Sequence, residues 1–267
     1  MYLMKDIRGF LIDLDGVLYV GNRAVDGAQD AIGFLRENGY PFRCLSNTTR
    51  KCRHSVASHL SKLGFDIPEN HIFTPALAAI AYMKKTGRTG YYLLVTGDAD
   101  NDFEEVMNKG TDRRPDWVVI GDAGNKIAYE TMNTAFRFLM GGAELLALEN
   151  DRYWMSADGL SLSAGPFVKA LEYATGKTAT VMGKPSLEFF NLALQDMHLR
   201  PEHVAMIGDD IITDIGGAYN AGMKGILVRT GKFRSDAVQM AVIKPACIID
   251  SISNIQEFIK AANRLNR

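Results

Sequence analysis

The chain has 267 residues, 47% of them apolar and 23% charged, with a formal net charge of −1. That length suits one large α/β domain or two smaller ones, and the even charge offers no basic block for nucleic acid or an anionic membrane. No uninterrupted apolar stretch reaches the roughly 18–20 residues of a membrane span. The three cysteines, Cys44, Cys52 and Cys247, lack metal-ligand spacing, and their odd count points to reduced thiols and a cytoplasmic setting. The apolar run after Lys5 and Arg8 contains Asp13 and Asp15 and ends in no small-residue cleavage site, a poor match to a secretory leader.

Along the chain, "GFLIDL" (9–14) reads as a strand. "GAQDAIGFLRENG" (27–39) places Ala28, Ile32 and Leu35 at helical spacing before a stop at Gly39. "PFRCLSN" (41–47) returns to strand, and the segment from 50 to 64 reads as a helix ending at Gly64. This β-α-β-α order predicts a parallel sheet covered by helices. In the middle, "YYLLVTG" (91–97), "DWVVIGD" (116–122) and "ELLALEN" (144–150) are strand-like, with helices expected over 129–140 and 167–176. The last section gives a helix over 186–197 with Ser186 as its N-cap, then strands at 203–210, 224–231 and 246–251. A short helix over 214–222 is expected among them, weakened by Gly216 and Gly217. The two ends therefore predict one core, with a second α/β unit inserted between them.

Four features fall at strand ends. The first is D-L-D-G at 13–16. Side chains i and i+2 of a strand share a face, so Asp13 and Asp15 are expected to project together. Their mutual repulsion would be offset by a hard cation such as Mg²⁺, and Gly16 lets the chain turn. Taken alone, the motif also fits a surface turn or the metal-binding D-x-D of a glycosyltransferase. The second feature, "LSNTT" (45–49), supplies Ser46, Asn47 and Thr48 as donors for an anion, or an ordinary helix N-cap.

The third is "GKPS" (183–186), where Pro185 holds Lys184 extended; by itself that lysine fits a solvated surface equally well. The fourth is "IGDDIITDI" (207–215), in which Asp209, Asp210 and Asp214 follow an apolar strand. Open α/β sheets put their ligand sites at that end of a strand, and packing alone does not account for three acids there. Together the four supply carboxylates, hydroxyl and ammonium donors and acids for a metal, as phosphoryl transfer needs.

In this order and these contexts, Asp13 and Asp15, Ser46, Lys184, and Asp209 with Asp214 resemble the four motifs of the haloacid dehalogenase-like phosphatase superfamily. "IDLDGVLY", "LSNTT", "GKPS" and "IGDD" resemble its NagD-like subfamily IIA, which includes p-nitrophenyl-phosphatase-like enzymes. Within that subfamily, "NTAFRFLMGGAELLAL", "GPFVKALEYATG" and "GMKGILVRTGK" resemble two related branches. One is the phospholysine phosphohistidine inorganic pyrophosphate phosphatases; the other is haloacid dehalogenase-like hydrolase domain-containing protein 2. The likeness extends over essentially the whole chain and departs in one place: "LEND" (148–151) stands where many relatives have Thr-Asn-x-Asp.

The resemblance implies a Rossmann-like parallel-sheet core over 1–82 and 179–267, with an α/β cap of the C2 type inserted over 83–178. It implies a Mg²⁺-dependent phosphatase in which Asp13 is the nucleophile and Asp15 the general acid and base. Metal is expected at Asp13, Asp15 (through its backbone carbonyl) and Asp209. Phosphate is expected at Ser46, Asn47, Thr48 and Lys184. Asp214 is assigned to orienting Lys184 or a metal-bound water, with Asp210 behind it or simply exposed. Glu149, Asn150, Asp151 and Arg152 are the cap residues expected to reach a small phosphorylated substrate, though a solvated loop is the competing reading. A homodimer through the cap is also implied, with no nucleic-acid or membrane partner. The alternative on the same scaffold is a non-hydrolytic phosphate-ligand binder.

Overall fold

The computed structural model describes residues 6–106, 114–156 and 158–264. They form two compact units. The first takes the described residues up to Ser46, Ala57–Phe73 and those from Phe190 onward; the second takes Asn47–Val56 and the described part of Thr74–Phe189.

In chain order, β1 (Gly9–Asp13) is followed by a small ribbon of β2 (Tyr19–Val20) and β3 (Arg23–Ala24). Then come α1 (Ala28–Glu37), β4 (Phe42–Leu45), α2 (Arg53–Lys62), β5 (Ile72–Phe73) and α3 (Pro75–Thr86). The middle holds β6 (Tyr91–Leu94), β7 (Trp117–Ile120), α4 (Tyr129–Met140) and β8 (Glu144–Ala147). A hairpin of β9 (Tyr153–Ser156) and β10 (Gly159–Leu162) precedes α5 (Gly165–Thr175), β11 (Thr180–Val181) and α6 (Leu187–Met197). The final section contains β12 (Val204–Gly208), α7 (Gly217–Asn220), β13 (Lys224–Val228), α8 (Ser235–Met240), β14 (Cys247–Ile249) and α9 (Ile255–Arg264). The expected α/β class with parallel sheets is the class observed. Among the described residues, no helix is long and apolar enough to cross a membrane.

The first unit is built on a six-stranded sheet in the order β14-β13-β12-β1-β4-β5, every pairing parallel. Strands covered on both faces read as continuous apolar runs rather than alternating ones. That is why "GFLID" and "VAMIG" lie wholly buried at the centre. Strand order reverses between β1 and β12, and at such a reversal the carboxyl ends of neighbouring strands open a crevice. Ile12 pairs with Ile207, so β1 and β12 reach that edge together, one ending at Asp13 and the other just before Asp209.

The second unit carries a four-stranded parallel sheet in the order β11-β8-β7-β6 and the separate antiparallel hairpin β9-β10. Val118, Ile120, Leu145 and Ala147 of the sheet pack with Ala135 and Leu139 of α4 and Val168 and Leu171 of α5. α3, which the sequence reading passed over, has clear stops at both ends. The Thr74 hydroxyl accepts the Leu77 N–H at 3.3 Å, Pro75 opens the first turn, and Gly87 closes the helix at φ 70°. Such a threonine cap contributes about 1 kcal/mol.

Candidate active site

The sheet edge brings three carboxylates together. Asp13, Asp209 and Asp214 are 7%, 2% and 1% exposed, and each offers an oxygen within 4.8 Å of the others. Asp214 arrives there on a widened π-type turn, Ile211–Gly216, which begins earlier than the short helix expected at 214–222. Asp210 starts that turn: its carboxylate accepts the N–H groups of Ile212 and Thr213 at 2.8 and 3.0 Å. Asp210 is thus the N-cap that aims Asp214.

Glycines leave room for these acids. A Cβ on Gly16 or Gly231 would lie 1.9 or 2.0 Å from Asp209 Oδ2, and one on Gly208 would lie 2.4 Å from Asp214 Oδ2. Backbone donors soften the repulsion among the three charges. The Lys232 N–H donates to Asp209 Oδ2 at 2.7 Å, and the Asp210 N–H donates to Asp214 Oδ2 at 3.1 Å. The Thr230 hydroxyl donates to the Gly16 carbonyl, joining the two glycine loops. Sequence reasoning missed this Thr230–Lys232 loop, because a backbone donor leaves no mark in residue type.

Asp15 is placed differently. β1 stops at Asp13, and the Leu14 carbonyl accepts the Val17, Leu18 and Tyr19 N–H groups in a tight turn. Asp13 is buried at the end of the strand, and Asp15 is exposed in the turn that follows. Tyr19 senses both acids; its hydroxyl is pushed up to about 12 by burial, then by Asp15 and Asp13. Burial and the charge of Asp13 also raise the Cys44 thiol, which stays neutral and is no nucleophile.

Ser46 follows β4, and its N–H donates to the Phe73 carbonyl at 3.2 Å. Asn47 brackets the backbone of Lys184: its Oδ1 accepts the Lys184 N–H at 2.8 Å and its Nδ2 donates to the Lys184 carbonyl at 3.0 Å. One N–H of that amide remains for a ligand. Gly183 permits the approach, since a Cβ there would lie 2.6 Å from the Leu148 carbonyl and 3.1 Å from Asn47 Oδ1. Lys184 itself is buried, against the bland expectation for a lone lysine, and Thr48 is half-buried.

In the "LEND" stretch the residues divide. Asn150, Asp151 and Arg152 are exposed, whereas Glu149 is buried. The Glu149 carboxylate accepts the Ser163 hydroxyl at 2.7 Å and the Ala164 N–H at 3.4 Å, tying the end of β8 to the start of α5. Burial raises its pKa to about 7; Ser163 and the Ala164 N–H pull it down, while Asp151 and Asp122 push it up. The native state then binds more protons than the unfolded state, so ionisation opposes folding. Stability is expected to fall as pH rises from the ordinary glutamate value of 4.5 to about 7, then to level off. Glu149→Gln keeps the acceptor for Ser163 and is expected to remove this slope. Thermal melts of both proteins across that range check it; parallel curves would refute the assignment.

Three converging carboxylates are a hard, oxygen-only donor set, which fits a divalent cation such as Mg²⁺.

The family profile described as haloacid dehalogenase-like hydrolase matches residues 10–110, and the one described as HAD-hydrolase-like matches 181–255. The chain is 41% identical over 254 residues to phospholysine phosphohistidine inorganic pyrophosphate phosphatase of Danio rerio, covering 92% of each. It is 43% identical over 235 residues to haloacid dehalogenase-like hydrolase domain-containing protein 2 of Bos taurus, covering 88% of this chain and 89% of that one. Among solved structures, 4-nitrophenylphosphatase from Thermotoga maritima superposes with a TM-score of 0.85 at 26% identity, over 96% of this chain and 98% of that one. NagD from Escherichia coli K-12 gives 0.84 at 26% identity, over 92% and 97%.

Proposed function

The chain belongs to the haloacid dehalogenase-like hydrolases, and from that premise we propose that it is a phosphatase acting on a small phosphorylated substrate through Asp13. The observation that carries this reading is the buried triad of Asp13, Asp209 and Asp214 at the switch point of the parallel sheet. The substrate is a phosphate monoester, with pyrophosphate, an anhydride, or a phosphoamino acid as the alternatives cleaved at phosphorus in the same way.

An Asp13 oxygen attacks phosphorus as the bond from phosphorus to the leaving oxygen breaks. The product is an aspartyl-phosphate, so one hard displacement becomes two easier ones. Asp15 gives its proton to the leaving oxygen, then takes one from the water that attacks the phosphoenzyme. Inorganic phosphate departs and Asp13 is regenerated. Ser46, Asn47, Thr48 and Lys184 hold the phosphoryl oxygens, with Asn47 also fixing the backbone that presents Lys184. Asp13, Asp209 and the Asp15 carbonyl would hold Mg²⁺, whose charge, when bound, offsets that of the carboxylates and the phosphoryl group. Asp214 adds a third carboxylate to that pocket and Asp210 positions it.

Residues 83–178 are read as the cap that excludes water and chooses substrate, with Glu149–Arg152 as its candidate contacts. In this reading the protein is cytoplasmic and dimerises through the cap. The exposed Tyr153, Met155, Leu160 and Leu162 on the β9-β10 hairpin support the dimer. Light scattering should give twice the chain mass; a monomer at assay concentration would remove that part. The phosphatase reading is tested by p-nitrophenyl phosphate with Mg²⁺, where hydrolysis is expected. Binding without turnover would make the chain a phosphate-ligand binder instead.

A further inference from the structure

Resting on the phosphatase reading, we propose that Arg50, Lys126 and Trp154 form a leaving-group subsite in the second unit. It would select substrates whose leaving group carries its own anion, a carboxylate or a second phosphate. A cavity of about 460 Å³ lies among these residues, Thr96, Asp122 and Ser161. Its size falls in the range of small-molecule sites, roughly 300–1,000 Å³.

The charges in this wall do not cancel. Arg50 and Lys126 face one carboxylate, Asp122. Asp122 is buried; its Oδ1 accepts the Gly124 N–H at 3.0 Å, and its Oδ2 reaches Arg50 Nη1 only at 3.4 Å. The Arg50 guanidinium also lies 5.4 Å from the centre of the Trp154 ring. An aromatic face holds a cation without neutralising it. The lining is left with net positive charge, bordered by the Thr96 and Ser161 hydroxyls.

The wall is also fixed in place. The Asp98 N–H donates to the Arg50 carbonyl at 3.1 Å, and only a glycine fits beside it, since a Cβ on Gly97 would lie 2.0 Å from that oxygen. The Asp98 carboxylate accepts the Cys52 N–H at 2.8 Å, and Asp102 accepts the Arg53 N–H at 3.0 Å and Arg53 Nε at 3.1 Å. Thr49 accepts the Asp122 N–H at 3.0 Å, joining the loop to the cavity floor.

The chain tethers this wall to the phosphate donors. Arg50 follows Asn47 by three residues, so their Cα atoms lie within about 11 Å of each other. Asn47 in turn grips Lys184. Asn47, Lys184 and Arg50 thus belong to the same unit, two of the phosphoryl donors and the proposed subsite together.

The test compares kcat/KM for 3-carboxyphenyl phosphate and phenyl phosphate, in wild type, Lys126→Met and Lys126→Glu. Lys126 is exposed, which makes it the safer site for folding; Arg50→Met is a second variant, with its fold checked by circular dichroism. The ratio of the carboxylated to the plain ester is expected to fall about tenfold in each Met variant, the worth of one charge-assisted contact. It should fall further in Lys126→Glu. A ratio unchanged in all three variants, with turnover retained, overturns the subsite and leaves the phosphatase reading standing. A wild type inert toward both esters overturns that reading and the subsite with it.

Discussion

Asp13→Asn is expected to lower kcat for p-nitrophenyl phosphate by about four orders of magnitude or more, the scale seen when an enzyme's nucleophile is removed. The amide has the shape of the carboxylate but cannot form the acyl-phosphate bond. Its effect on folding should run the other way. Asp13 is buried with Asp209 and Asp214, their oxygens within 4.8 Å of one another, so removing one charge relieves repulsion in the metal-free protein. A melting temperature equal to or above that of wild type, together with lost turnover, separates a chemical role from a structural one. Wild-type turnover in this variant would remove Asp13 as the nucleophile.

Removing the metal is expected to have an effect of similar size. Chelation by EDTA should abolish hydrolysis, and excess Mg²⁺ should restore it. The cluster also predicts a readout independent of activity. A cation that binds only the folded state stabilises it by about 2.7 kcal/mol at one hundred times its dissociation constant. Mg²⁺ should therefore raise the melting temperature by several degrees. Asp209→Asn, which removes one carboxylate of the triad, should blunt that rise. Turnover that persists through exhaustive chelation, or a melt insensitive to millimolar Mg²⁺, would contradict the role given to these acids.

Much of the first unit was legible because its strands are plain apolar runs that end in acids. "GFLID" and "VAMIG" are buried on both faces, so charge could appear only at their ends, where Asp13 and Asp209 stand. The i, i+2 rule covers Asp13 but stops there, since β1 ends one residue after Ile12 and a tight turn from Leu14 to Tyr19, not the strand, sets Asp15. Helix α4 was legible to the residue because Ala135 and Leu139 repeat at helical spacing against one core.

The β9-β10 hairpin was not, because Tyr153, Met155, Leu160 and Leu162 are exposed and face no core that would impose a period. Helix α3 escaped for the opposite reason. Its alanines are buried around most of its surface, so no polar stripe marks it, although Thr74, Pro75 and Gly87 signal both ends. The pairing of Arg50 with Asp122 joins residues 72 positions apart, and nothing local in either segment announces it.

The most direct test of the account is to locate the phosphoryl group. The Asp15→Asn variant, mixed with p-nitrophenyl phosphate and Mg²⁺, quenched in acid and mapped by peptide mass spectrometry, should carry a phosphoryl group on Asp13. Slow breakdown is expected to let it accumulate, because the second step has lost the group that takes a proton from water. A phosphoryl group on another residue, or hydrolysis with no phosphorylated peptide at any quench time, would contradict the mechanism.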